Sequence, residues 1–471
     1  MTPEPPATRR SFLNQVGGFG AIALSWMLHQ DGSARADEPI DPLAVRPPHA
    51  PPKAKRIIYL FMHGGPSHLE LFDPKPELQR LAGKPLPDSF GAVATRRKVE
   101  RNPLLATKRT FKKHGASGLD ISDLLPHTAK FADDLAVIRS CWADSVNHPQ
   151  AVYQMNTGSI LMGKPSLGSW VGYGLGTENR DLPAFVVLPD PAGGIKGGPP
   201  AYGSGFLPAS YQGTLVRGGE SPILDLKPPA GMTADRQRKT LDLIGQLNKR
   251  HLDARGDDTE LSARIATYEL AYRMQSAAPE AVDFSSETDE TKRLYGLDDR
   301  VTADFGARCL LARRLAERGV RFIQVYSGDV NGWDAHEDVE KNHATMCART
   351  DKPVAGLLAD LKRRGLLDDT LVIWGGEFGR MPMSEQGRGR DHNPHGFCVW
   401  MAGAGIKGGT VHGATDAVGL RAEVDRVHVH DLHATILHLM GLDHTRLTFP
   451  RNGRDERLTD TSGEVVRSIL S

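Results

Sequence analysis

Six short apolar runs recur along the chain, several of them ending in Gly- or Asp-rich turns: Arg56–Met62, Leu135–Ser140, Phe185–Leu188, Val320–Tyr326, Leu371–Trp374 and Phe397–Met401. The first, RIIYLFM, is continuous rather than alternating and rich in β-branched and aromatic residues, as a strand buried on both faces requires. Helical periodicity fills the intervals over Thr233–His251, Glu260–Gln275, Ala303–Arg318, Glu337–Arg364 and Val429–Met440. A chain that alternates in this way returns each strand through a helix and so builds a mainly parallel sheet. The expected fold is α/β, a three-layer αβα sandwich, and ligands in such sheets gather beyond the carboxyl ends of the strands.

Length and charge narrow the function classes. At 471 residues the chain has room for one large domain or two smaller ones. With 58 Lys and Arg against 57 Asp and Glu, the net charge of +1 gives no long-range attraction to a polyanion, and a nucleic-acid partner is discounted. The 50 Gly and 32 Pro point to long shaped loops, where sites tend to lie. Cys141, Cys309, Cys347 and Cys398 are far apart and mostly among apolar neighbours, the pattern of buried free thiols.

The N-terminal stretch reads as an export signal. Arg9-Arg10-Ser11-Phe12-Leu13 precedes a weakly apolar run, Val16 to Leu28, too short for a comfortable span, and Ala34-Arg35-Ala36 offers the small residues of a cleavage site. Residues 1–36 are therefore expected to be a twin-arginine signal peptide, read by the twin-arginine translocase, with a periplasmic or extracellular destination. Residues 37–55, with Pro39, Pro42, Pro47, Pro48, Pro51 and Pro52, are expected to form an extended linker, and residues 56–471 the domain.

The unusual polar residues follow the strands. His63-Gly64-Gly65-Pro66-Ser67-His68, with Asp73 further on, succeeds the first run; Asp329 to His336 succeeds the fourth; Gly375-Gly376-Glu377-Phe378-Gly379-Arg380 succeeds the fifth. Asp334 and His336 serve either as cation ligands or as a turn capping the helix at Glu337. Arg380 suits an anion or a salt bridge equally. Arg390-Asp391-His392-Asn393-Pro394-His395 packs one Asp and two His into a Pro-broken loop, the strongest local metal-like cluster. The histidine-rich run His428 to Gly441 keeps helical spacing at Leu432, Ile436 and Leu439 and reads as a capped helix instead. Residues 190–232, rich in Gly and Pro, read as an excursion over the same edge, able to border a site for an extended polymer.

The order of these motifs resembles the alkaline phosphatase superfamily, sulfatases included, over about residues 56–450. His63 opens a polar loop after the first strand, Asn147-His148-Pro149-Gln150 precedes Asn156-Thr157-Gly158, Glu377-Phe378-Gly379 stands where that superfamily has Asp-His-Gly, and Asp431 to Gly441 is similar to its Asp-Leu-x-x-Thr-Ile-Leu helix. The longer strings His63–His68, Trp374–Arg380 and Asp431–Thr435 look like the family called domain of unknown function 1501, often labelled sulfatase-like. The resemblance implies a divalent-metal site (zinc, calcium or manganese) with His63, Asp334, His336, Glu377, His392 and His395 as ligand candidates. The departures matter: none of the four cysteines has Pro two places on, so a formylglycine nucleophile is absent. The position that replaces it falls on His148, with Ser145 as the fallback attacking group, and Phe378 replaces an expected His ligand.

Two functions follow. One is an exported metal-dependent hydrolase of phosphate or sulfate esters, with Arg380 stabilising developing charge and an anionic ester, such as one on a sulfated or phosphorylated polymer, as substrate. The other is a non-catalytic exported binding or scaffold protein that keeps the fold and a structural cation.

Overall fold

The computed structural model describes residues 42–217, 231–255, 259–328 and 332–471. The expected signal peptide, the start of the linker and Asp329 lie outside the described residues. Besides small hairpins elsewhere, the strands that build the main sheet and border the site are β1 (Arg56–Met62), β2 (Leu135–Trp142), β3 (Phe185–Leu188), β4 (Thr214–Leu215), β5 (Phe322–Ser327), β6 (Thr370–Gly375), β7 (Gly379–Glu385), β8 (Gly389–Asn393), β9 (Phe397–Ala402), β10 (Thr410–His412) and β11 (Val427–His428). Nine of them form one sheet in the order β10-β2-β9-β6-β1-β5-β3-β4, with β11 pairing β2 beside that path. β1 pairs in parallel with both β5 and β6, and only β9 runs antiparallel to its neighbours. The mainly parallel α/β fold is as expected.

β1 shows why the sheet needs two helical layers. Its side chains alternate between faces, and six of its seven residues are fully or nearly fully buried. Ile58, Leu60 and Met62 join the core with Leu310, Leu357 and Leu361 from helices Ala303–Glu317 and Val339–Arg363. Ile57, Tyr59 and Phe61 join a second core with Val152, Trp170, Ile436 and Leu437 from helices His148–Thr157, Leu167–Leu175 and Val429–Leu439. Each such side chain removed from water contributes roughly 1.5–3 kcal/mol, so a one-residue register slip is strongly opposed on both faces. All four cysteines are buried and free.

Two expectations are corrected. Residues 42–55 are tied to the domain rather than acting as a spacer. Arg46 N donates to Leu175 O at 3.0 Å, Ala50 N to Gly441 O at 3.0 Å, and Lys53 N and Ala54 N both to Leu439 O at 2.8 Å. The Pro-broken loop at 390–395 is for the most part strand: Gly389–Asn393 pairs with Gly379–Glu385 in a hairpin with an irregularity between Arg390 and His392, and every residue of both strands is buried. Its sequence is too polar to read as buried, because its charged groups are satisfied inside. The Arg390 guanidinium pairs with Glu70 at 2.7 Å and donates to the carbonyls of Met381 and Pro382, both at 3.1 Å.

Glycine decides one close approach. Gly64 sits at φ 113°, and a Cβ there would lie 2.6 Å from the backbone nitrogens of Trp333 and Asp334. Gly64→Ala is therefore expected to add about 1–3 kcal/mol of backbone strain before the clash is counted. Gly83 (φ 76°) has nothing within 4 Å of its would-be Cβ, so Gly83→Ala carries strain alone. Thermal melting of the two variants should show the larger loss for Gly64→Ala; equal losses would refute the close approach.

Candidate metal centre

Register brings three strand ends level. Met62 of β1 faces Ser327 of β5, and Phe61 faces Gly375 of β6. The segments that leave these strands therefore emerge together: His63 to Gly65 after β1, Asp334 and His336 beyond β5, and Glu377 after β6. The N-terminus of helix His148–Thr157 and strand β8 close the ring with His148 and His392.

His148, Asp334, His336 and His392 each present a ligand atom, and these atoms lie within 4.8 Å of one another. Asp334 Oδ2 is 2.9 Å from His148 Nε2, and Oδ1 is 3.0 Å from His336 Nε2 and 3.2 Å from His392 Nε2. The two latter nitrogens are 3.0 Å apart. Each ring's other nitrogen is committed: His148 Nδ1 to Glu377 at 2.6 Å, His336 Nδ1 to Glu385 at 2.6 Å, and His392 Nδ1 to the Val146 carbonyl at 2.6 Å. Carbonyl and carboxylate oxygens only accept, so Nδ1 carries the proton in each neutral ring and each Nε2 turns a lone pair inward. Lone pairs at 3.0 Å beside a carboxylate repel one another unless a cation lies among them. The residues fit a divalent metal ion.

The supporting groups are equally determined. Glu377, fully buried, accepts Gly64 N–H on both oxygens at 3.0 and 3.1 Å. Burial pushes its carboxyl up, but the hydrogen bond from His148, with the His63 ring also close by, outweighs this and holds it below the usual range. Glu385 pairs with Arg97 at 3.0 Å, and Asp391 accepts Arg97 N at 2.7 Å and His392 N at 2.9 Å. His336, Glu385 and Asp391 also lie close enough to share an ion, but these bonds already occupy them. Burial pushes the Asp334 carboxyl up, but the polar groups around both its oxygens, the Arg380 guanidinium among them, outweigh that penalty and hold it well below the carboxylate range. Burial pushes His392 well below the ordinary imidazole value, keeping it neutral.

Of the residues singled out in the sequence, His148, Asp334, His336 and His392 come together. Glu377 lies one bond outside, spending its oxygens on Gly64 and His148 rather than facing the centre. His63 borders the site, its Nε2 accepting Lys196 N at 3.1 Å. His395 is not brought into the cluster; its Nε2 is buried without a hydrogen-bond partner. Ser145 lies before the helix His148–Thr157 and faces it, donating to Gln150 Oε1 at 3.0 Å and accepting Asn147 N at 3.1 Å. Arg380 is fully buried and donates to the carbonyls of Gly64, Gly65 and Arg390 and to Asp334 Oδ1, so it positions Asp334 rather than meeting an anion. Glu385 and Lys196 were not foreseen: Glu385 lies in the hairpin that the sequence disguised, and Lys196 in a Gly-rich loop with no periodicity.

A mainly parallel αβα sheet with a histidine–carboxylate cluster beyond its central strand ends defines the class. Within it, the chain belongs to the family described as protein of unknown function DUF1501, whose model matches residues 54–470. No curated protein matches its sequence. Among solved structures it is similar to the PsFucS1 sulfatase from Pseudoalteromonas sp., at 13% identity over 90% of this chain and 72% of that one, with a TM-score of 0.38. It is also similar to the phosphonate monoester hydrolase SpPMH from Silicibacter pomeroyi, at 13% identity over 74% of this chain and 71% of that one, TM-score 0.33. Alkaline phosphatase from the Antarctic bacterium TAB5 aligns at 10% identity over 83% of this chain and 99% of that one, TM-score 0.34. These similarities are too distant to carry a substrate or a mechanism to this chain.

Acid should loosen the scaffold under the site. Ser67 N donates to His343 Nε2 at 2.8 Å, and His343 Nδ1 lies 3.1 Å from Val339 O, so neither nitrogen accommodates an added proton. Burial lowers His343 to about 4 and His433 to about 3. Because the unfolded chain binds these protons near pH 6.5, the stability is fully present above that pH and is lost as pH falls towards the folded values. Each residue is expected to remove about 2 kcal/mol between pH 7.5 and 5.0, at about 1.4 kcal/mol per pH unit below 6.5. Urea unfolding at the two pH values checks this, and His433→Gln should diminish the difference by its share.

Proposed function

We propose that this chain is a metal-dependent hydrolase of phosphate or sulfate esters. The observation that carries the reading is the convergence of three Nε2 lone pairs on Asp334, each ring locked through Nδ1. Three imidazoles and one carboxylate suit zinc or manganese better than calcium, which prefers oxygen ligands. A divalent cation held there supplies Lewis-acid polarisation of an ester oxygen and acidifies a water molecule.

The chain's own residues orient and exclude. Glu377 and Glu385 fix the tautomers of His148 and His336, and the Val146 carbonyl fixes that of His392, so the donors need little reorganisation. Arg380 holds Asp334 in line. His148 and Ser145 are both committed elsewhere, which favours water over a protein nucleophile. Near-complete burial of His148 and His392, at 3% and 0% exposure, favours the second reading, a non-catalytic exported scaffold with a structural cation.

Export through the twin-arginine route to the periplasm or beyond belongs to the same proposal and rests on Arg9-Arg10 and the run that follows. Replacing both arginines with lysine is expected to retain the chain in the cytoplasm, read by cell fractionation; unchanged export would refute that route.

Elemental mass analysis of the purified protein should find about one divalent ion per chain, as a four-ligand site holds. His392→Ala and Asp334→Asn should lose it, whereas His395→Ala should keep it. On a panel of phosphate and sulfate monoesters, turnover should vanish with chelator and return with zinc or manganese. Bound metal without turnover would establish the scaffold reading, and metal-free folded protein would refute both.

A further inference from the structure

Asp334 is contacted by two cationic side chains of different character. Arg380 is fully buried and fixed by backbone carbonyls as well as by Asp334 Oδ1. Lys196 reaches the other carboxylate oxygen, Asp334 Oδ2, at 3.0 Å, and its side chain retains 17% exposure. The backbone beneath Lys196 is pinned: its N–H donates to His63 Nε2 at 3.1 Å, the next carbonyl, Gly197 O, accepts the Tyr153 hydroxyl at 2.8 Å, and Gly198 N closes a turn onto Ile195 O at 2.8 Å. A flexible four-carbon stem with three rotatable donors therefore stands on a fixed base as the most exposed of Asp334's contacts.

We propose that Lys196 neutralises Asp334 only until a divalent cation enters the cluster, and that the displaced ammonium then binds a non-bridging oxygen of a tetrahedral oxyanion group. The proposal rests on the metal reading above and deepens it by assigning the residue that recognises the substrate's charge. Oδ2 is the oxygen shared by His148 Nε2 and Lys196 Nζ, at 2.9 and 3.0 Å, so a cation among the Nε2 atoms competes with the ammonium for the same carboxylate. The two positive charges also repel each other. Lysine suits this task as arginine does not, being a compact point charge without a fixed fork. Four carboxylates, those of Asp334, Glu377, Glu385 and Asp391, stand against Arg380, Arg97, Lys196 and the divalent ion. The occupied site then carries surplus positive charge. A phosphate or sulfate group compensates it; an uncharged carboxylic ester does not. This is the role expected of Arg380 from the sequence, transferred to a residue able to move.

The test measures two affinities with opposite expected signs, using the full chain. Zinc affinity is determined by chelator competition, and inorganic phosphate and sulfate affinities are determined on the zinc-loaded protein by calorimetry. Lys196→Met should bind zinc about tenfold more tightly, because a competing cation is gone, and bind the anions at least about tenfold more weakly, because a charge-assisted hydrogen bond is lost. The anion bound more tightly by the unmutated protein identifies the ester class. A second measurement needs no variant: acetylation of Lys196 by acetic anhydride, read by peptide mass spectrometry, should rise at least threefold on zinc loading and fall again when the anion is added. Anion affinity unchanged within twofold in Lys196→Met, or Lys196 reactivity indifferent to zinc, overturns this assignment while leaving the metal centre standing. Failure of the unmutated protein to bind zinc or manganese overturns the metal reading and this assignment together.

Discussion

A single buried carboxylate organises the site. Asp334 faces three imidazoles, Arg380 and Lys196; His336 lies two residues on in the same segment, and the other four come from distant parts of the chain. An aspartate so enclosed is tolerable only because positive or hydrogen-bonding groups surround it on both oxygens. Its position in turn depends on Gly64, whose backbone comes so near Trp333 and Asp334 that no side chain fits between. The same Gly64 gives its N–H to Glu377, which holds His148. One glycine thus sets both the carboxylate and the orientation of a ring facing it.

The loops that bear these residues are shaped by further carboxylates bonded to backbone N–H groups. Asp190 accepts Gly328 N at 2.9 Å and Arg308 at 3.2 Å, fixing the start of the 190s excursion to the end of β5. Asp391 accepts Arg97 N and His392 N, fixing the hairpin to the segment before it. Such bonds are satisfied internally and need no surface exposure, so the site sits inside the protein while still being built from polar segments. The stacked Trp374 and Trp400, with ring centroids 6.1 Å apart and planes 3° apart, support the floor beneath β6 and β9.

Much of the architecture is legible in sequence. All six apolar runs are strands of the main sheet, and the helical patterns at 303–318, 337–364 and 429–440 coincide with helices to within a residue or two at either end. Short-range periodicity reports these elements because each must bury an apolar face. The site was legible in part for a related reason: polar residues after buried strands have few tasks other than capping or binding. Spacing places Glu377 near a strand end without showing what its oxygens meet, so the sequence alone cannot tell a ligand from the residue that orients one. His395 is close to His392 along the chain, but β8 ends at Asn393 and the chain turns away before β9.

Residue order and chemistry alone determined the sheet, its two helical layers and the edge at which chemistry-bearing residues collect, since periodicity and strand-end turns are local properties. Which nitrogen of each histidine points inward, that Arg380 is locked rather than free, and that a lysine from a Gly-rich loop completes Asp334's contacts were decided by the tertiary structure. Those facts depend on pairs tens to hundreds of residues apart, and on hydrogen-bond partners whose distance and direction exist only once the sheet has brought its strand ends level.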